Sequence, residues 1–177
     1  KGIEEALETL EEDFFGELIN VPKDLPSATD TKKLFIVHGH NHEAKTELEI
    51  FLRDLNLEPV ELHREADEGM TLIEKFEKYS KVGYAFVILT PDDKAVLNES
   101  DNENFELRAR QNVILELGFF VGKLGRGRVC CLMQKGVTAP SDINGLVYKP
   151  FHEHIEEVKY ALIKELKKAG YPVEVDI

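Results

Sequence analysis

The sequence predicts an α/β fold of flavodoxin-like topology, a central parallel sheet of about five strands with helices on both faces. Three observations predict it. Leu34 to Val37 and Ala85 to Leu89 are short, wholly apolar runs, as suits strands covered on both sides. Segments of helical period separate them. The resulting β-α-β-α-β-α-β-β-α order needs crossover connections, which parallel neighbours require and hairpins cannot supply.

Ahead of this body, Leu7, Leu10, Phe14 and Leu18 recur at helical spacing, so residues 1–20 are read as an acidic amphipathic helix. Residues 21–32 hold two prolines and no periodicity and are read as a linker. The domain is placed at 33–177. After the first strand comes the polar turn His38-Gly39-His40-Asn41, then a helix with Ala44, Leu48, Phe51, Leu52 and Leu55 on one face. Val60 and Leu62 mark the second strand. Thr71-Leu72-Ile73-Glu74 has capping-box spacing and opens a short helix to about Tyr79. Thr90-Pro91-Asp92-Asp93 ends the third strand, and an acidic loop runs to about Phe105. A long helix is expected from about Glu106 to Leu124, followed by strands at Val129 to Met133 and Leu146 to Tyr148. The last helix carries Ile155, Val158, Leu162 and Leu166.

With 177 residues and 42% hydrophobic composition the chain can fill one core. A formal net charge of -12 argues against a general grip on nucleic acid, which takes a basic face. Cys130 and Cys131 are neighbours in an apolar run and point to opposite faces of a strand, so no disulfide is expected. No signal peptide or membrane-length apolar stretch is present, and a cytoplasmic, membrane-free location is expected. The chain begins at Lys1, which leaves room for an upstream sensor domain.

In open parallel sheets ligands bind beyond the carboxyl ends of the strands, where strand order reverses. That rule selects the loop His38 to His42, the loop from Thr90, and the helix that follows. Gly39 would let backbone approach a ligand, and the loop amides would favour an anionic group. Glu116 lies in the otherwise uncharged run Val113 to Val121. Two readings stay open on periodicity alone. Either Ile114, Leu117, Val121 and Leu124 form the core stripe while Glu116, Asn112 and Lys123 face water, or Val113, Phe119 and Phe120 set Glu116 in a partly dry pocket. The alternation of His38, His40 and His42 invites a metal reading, but residues in a turn need not converge, and no metal is expected. Gly122 to Arg128 follows a helix and is read as a C-cap rather than a phosphate loop. Neither a dinucleotide fingerprint nor a serine-hydrolase elbow is found.

Four segments, LFIVHGHNHEAK (Leu34 to Lys45), GMTLIEKFEKYSKVGYAFVILTPDD (Gly69 to Asp93), RARQNVILELGFFVGKLGRGRV (Arg108 to Val129) and PSDINGLVY (Pro140 to Tyr148), together resemble the bacterial TIR-like family of predicted nucleotide-binding proteins. Relatives of that family include TIR domains of cyclic-nucleotide-activated antiphage effectors. The resemblance implies a TIR fold, hydrolysis of NAD at the nicotinamide-ribose bond, and NAD as substrate with no cofactor. It places the catalytic carboxylate at Glu116, within Arg110 to Gly118. It also brings in the loop from about His63 to Met70 and contacts between TIR domains of a homo-oligomer. The substrate-binding set so nominated is His38, Gly39, His40, Asn41, Asp67, Gly69, Thr90, Arg110 and Asn112. Many relatives carry an acidic residue where Asn41 stands. The alternative is a non-catalytic module that binds a nucleotide or another TIR domain.

Overall fold

The computed structural model describes residues 31–61, 74, 75, 78, 81–96, 105–141 and 145–173. The N-terminal helix, most of the linker, the loop His63 to Met70 with Asp67 and Gly69, and the start of the capping box lie outside them.

Strand β1 (Lys33–Val37) leads through the His38 to Asn41 turn into helix α1 (His42–Asp54), and β2 (Glu58–Val60) follows. Glu74, Lys75 and Lys78 are helical, as the sequence predicts for that crossover. Strand β3 (Tyr84–Leu89) comes next, then the short strands β4 (Asp93–Ala95) and β5 (Glu106–Arg108). Helix α2 (Gln111–Leu124), β6 (Val129–Gln134), β7 (Val147–Phe151) and helix α3 (Lys159–Lys168) complete the order.

The main sheet has the order β2-β1-β3-β6-β7, and every pairing in it is parallel. This is the flavodoxin-like arrangement, and its strand order reverses between β1 and β3. Side-chain alternation splits the core into two layers. Leu34, Ile36, Tyr84, Phe86, Ile88, Cys130 and Leu132 face α1 and α3. Phe35, Val37, Ala85, Val87, Leu89 and Cys131 face α2. The two cysteines are free, buried and on opposite faces, as alternation predicts.

Three elements depart from the sequence reading. The helix expected from Glu106 begins at Gln111, because Glu106 to Arg108 pairs antiparallel with Asp93 to Ala95 as a strand. Glu106 and Arg108, two apart on one side of that strand, form an ion pair of 2.6 Å. The strand expected to stop at Tyr148 continues to Phe151, with Pro150 opposite Met133. β7 is the sheet's edge, where a proline lacking an N–H is tolerated. The final helix starts as a 3-10 turn at Ile155–Val158, whose head is fixed by Glu157 accepting from the amides of His152, Glu153 and His154. Gly125 ends α2 at φ 79°, with its N–H on the Val121 carbonyl, which bears out the capping account of the glycines there.

Candidate functional site

Helix α2 lies on the second core layer through Val113, Leu117, Phe120 and Leu124, and the Phe120 ring packs on Phe35 of β1 at 4.5 Å between centroids. Its first turn stands at the carboxyl edge of the sheet, next to the reversal. Glu116 sits on one flank of the buried stripe, three residues after Val113 and four before Phe120. The structure decides between the two readings of this residue. Glu116 is 8% exposed, while Asn112 faces solvent and Ile114 and Val121 are only half-buried. Among the described residues no hydrogen bond or ion pair compensates its carboxylate, and burial alone pushes its pKa up to about 7. Burial disfavours the charged form of this carboxyl, and a cation brought beside it would favour that form.

At the reversal, the residues of the β1 and β3 loops meet the head of α2. The carboxylate of Asp92 accepts from the Thr90 hydroxyl at 3.0 Å and from the His40 N–H at 3.2 Å. Arg110, the residue ahead of α2, reaches back so that Nη1 donates to His40 Nε2 at 2.9 Å. Because a guanidinium only donates, His40 accepts through Nε2. Gly39 is where backbone comes close to another group, but that group is Asp92: a Cβ at Gly39 would stand 1.8 Å from Oδ2. The His40 amide, expected to favour an anionic ligand, is thus held by the protein's own carboxylate.

Of the other nominated residues, Asn112 is exposed on the first turn of α2, and Asn41 and His38 have protein partners. Asn41 caps α1 by accepting from the Ala44 N–H at 2.9 Å, and its amide donates to Gln134 Oε1 at 3.3 Å. The His38 side chain is buried: Nδ1 lies 2.8 Å from the Gly39 carbonyl and Nε2 lies 2.9 Å from Glu61 Oε1. Lys45 contacts the second oxygen of Glu61 at 3.3 Å. Burial raises the Glu61 carboxyl, but the His38 and Lys45 contacts outweigh it and hold it below its ordinary value. Glu61, Asp92 and Gln134 escaped the sequence reading. For Asp92 a signal existed, since it follows the Thr-Pro end of a central strand at the reversal.

The histidine run does not converge as a ligand set. His38 turns to Glu61 and His40 to Arg110. Among the described residues the group whose ligand atoms do approach within 4.8 Å is Glu43, Glu47 and His154, on the α1 side of the sheet away from Glu116. Glu47 there accepts from His154 Nδ1 at 2.6 Å and from the Ile155 N–H at 2.7 Å, which docks the final helical segment on α1. A cleft of about 860 Å³ opens on the flank of α2 opposite Glu116, lined by residues that include Asp92, Lys94, Arg108, Gln111 and Ile114. Glu116 is not in its wall. Among the described residues no helix is long and apolar enough to cross a membrane.

A five-stranded parallel sheet in flavodoxin order, with a lone buried carboxylate on the helix after its third main strand, defines a TIR-type α/β domain. Residues 33–153 match the family described as CAP12/Pycsar effector protein, TIR domain, and the chain belongs to that family. It is 43% identical over 147 residues to Uncharacterized protein YuaY of Escherichia coli, an overlap of 82% of this chain and 48% of that protein. Protein tirC of Dictyostelium discoideum is 35% identical over 136 residues, 72% of this chain and 68% of tirC. Pycsar effector protein PaPycTIR of Pseudomonas aeruginosa is 40% identical over 72 residues, 40% of this chain and 22% of PaPycTIR. The chain therefore spans about half the length of the Escherichia coli relative.

Proposed function

We propose that this domain hydrolyses NAD at the nicotinamide-ribose bond as the effector part of a bacterial defence system, with Glu116 as the catalytic carboxylate. The observation that carries the reading is the burial of Glu116, without a partner among the described residues, on the helix that begins at the strand-order reversal. Nicotinamide is already cationic, so it leaves with the bonding electron pair and needs no acid. The C1′ of ribose becomes oxocarbenium-like, water adds to it, and nicotinamide, ADP-ribose and a proton are the products. A fixed carboxylate in a dry site stabilises that developing positive charge without prior reorganisation. Similarity to the Pseudomonas Pycsar effector protein and to the effector TIR family supports the defence context.

In this reading NAD is the substrate, Arg110 and the His38 to Asn41 loop hold its anionic part, and copies of the domain assemble through TIR–TIR contacts to become active. Thr90, Asn112, Asp67 and Gly69 complete the proposed binding set. A second reading draws on the same burial. A carboxyl with a pKa of about 7 is half neutral at physiological pH, as suits a module that binds nucleotide or another TIR domain without turnover. Following nicotinamide release from NAD as protein concentration rises separates the two. Turnover per molecule that climbs with concentration supports the hydrolase; tight nucleotide binding with no nicotinamide at any concentration supports the module.

A further inference from the structure

Asp92 does more than end a strand. Pro91 offers no N–H to prolong the β3 ladder, and the chain turns there so that the Asp92 carboxylate lies directly over Gly39. Any side chain at Gly39 would displace it. One oxygen accepts from the Thr90 hydroxyl and the other from the His40 N–H, at 3.0 and 3.2 Å. The His40 ring in turn accepts from Arg110, and Arg110 is the N-cap of the helix that carries Glu116 less than two turns later. The contacts run unbroken from the end of β3, across the reversal, to the head of α2.

A bare carboxylate is a poor neighbour for a pyrophosphate, because like charges repel at short range. Here it fixes two things that an anionic ligand needs. It holds the first loop in place through the His40 amide, and so fixes the backbone of the residue whose ring meets the guanidinium. Arg110 gives one N–H to His40, and among the described residues no other hydrogen bond is shown for its fork, which leaves donors for a ligand.

We propose that Asp92 is a positioning residue of the nucleotide site, locking the His38 to Asn41 loop and Arg110 into the geometry that receives the pyrophosphate of the dinucleotide. This rests on the NAD-hydrolase reading above. Its sign is opposite to a plain electrostatic role: removing the charge would tighten anion binding, whereas removing the lock weakens it.

The test is a double-mutant cycle on the full chain with Asp92→Ala, Gly39→Ala and the pair, read by KM and kcat for NAD and by hydrogen exchange of the His40 amide. Asp92→Ala is expected to raise KM about tenfold and to leave kcat within about threefold, since the loop and Arg110 grip ground state and transition state alike. Gly39→Ala breaks the same contact, so the double variant is no worse than the worse single. Asp92→Asn, equal in shape and with one acceptor fewer, falls between and serves if the alanine variant does not fold. A lower or unchanged KM in Asp92→Ala, or two effects that multiply, overturns the proposal. If the wild type releases no nicotinamide, the hydrolase reading has failed and the exchange measurement still judges the lock. Faster His40 exchange in Asp92→Ala upholds it, and unchanged exchange overturns it.

Discussion

Arg110 and His40, 70 residues apart in the chain, meet at 2.9 Å and tie the loop after β1 to the head of the Glu116 helix. Arg110 is otherwise exposed, so its loss should leave the fold within about 0.5 kcal/mol of wild type. Charge-assisted hydrogen bonds to a ligand contribute about 1.5 to 3 kcal/mol, so Arg110→Ala should weaken nucleotide binding roughly ten- to hundredfold. Calorimetric titration with NAD beside a thermal melt checks both halves of the expectation.

If Glu116 is the catalytic carboxylate, its protonation sets the pH dependence of turnover. Burial raises its carboxyl from 4.5 to about 7, and the charged form is the one that stabilises an oxocarbenium ion. kcat/KM should therefore rise with pH through about 7 and level off above it. A profile flat from pH 5 to pH 8 would contradict the assignment of the titrating group.

The same burial makes Glu116 a liability to the fold. The unfolded chain loses this proton near 4.5 and the folded chain near 7, so between those values the native state holds more protons and stability falls as pH rises. Above the window the fold carries a buried charge with no partner among the described residues, at a cost of roughly 3 kcal/mol. Glu116→Gln should raise stability at pH 8 by about that amount and match wild type within about 0.5 kcal/mol at pH 4. Urea unfolding at the two pH values measures the difference.

Asn41 has a job that does not depend on any ligand. Its side chain accepts from the Ala44 N–H at the start of α1, and loss of such a cap costs about 1 kcal/mol. Asn41→Ala should lower stability by that amount, and Asn41→Asp, which keeps the acceptor, should recover it. Chemical denaturation of the three proteins decides.

Much of the fold was legible because burial on both faces leaves a plain trace. Leu34 to Val37 and Ala85 to Leu89 read as central strands, and the crossovers between them pointed to the parallel order, which the β1–β3 pairing bears out. Short elements held by partners far away in sequence were not legible. Glu106 to Arg108 reads as the first turn of the helix that follows, and only its pairing with Asp93 to Ala95 makes it a strand. β7 was cut short at Lys149-Pro150, a pair that suits only an edge. At the site, periodicity left Glu116 open between facing water and a partly dry pocket, because a rotation of a few tens of degrees about the helix axis decides its burial. Asp92 read as a strand stop because its partners, Gly39 and His40, lie on a different loop.

The most direct test is nicotinamide release from NAD by concentrated wild-type protein and by Glu116→Gln, each with and without a chelator. The account predicts release by the wild type, indifference to the chelator, and a loss of about 10²- to 10³-fold in the glutamine variant, the scale for removing one preorganised electrostatic group. Equal release by the two proteins would contradict the role assigned to Glu116.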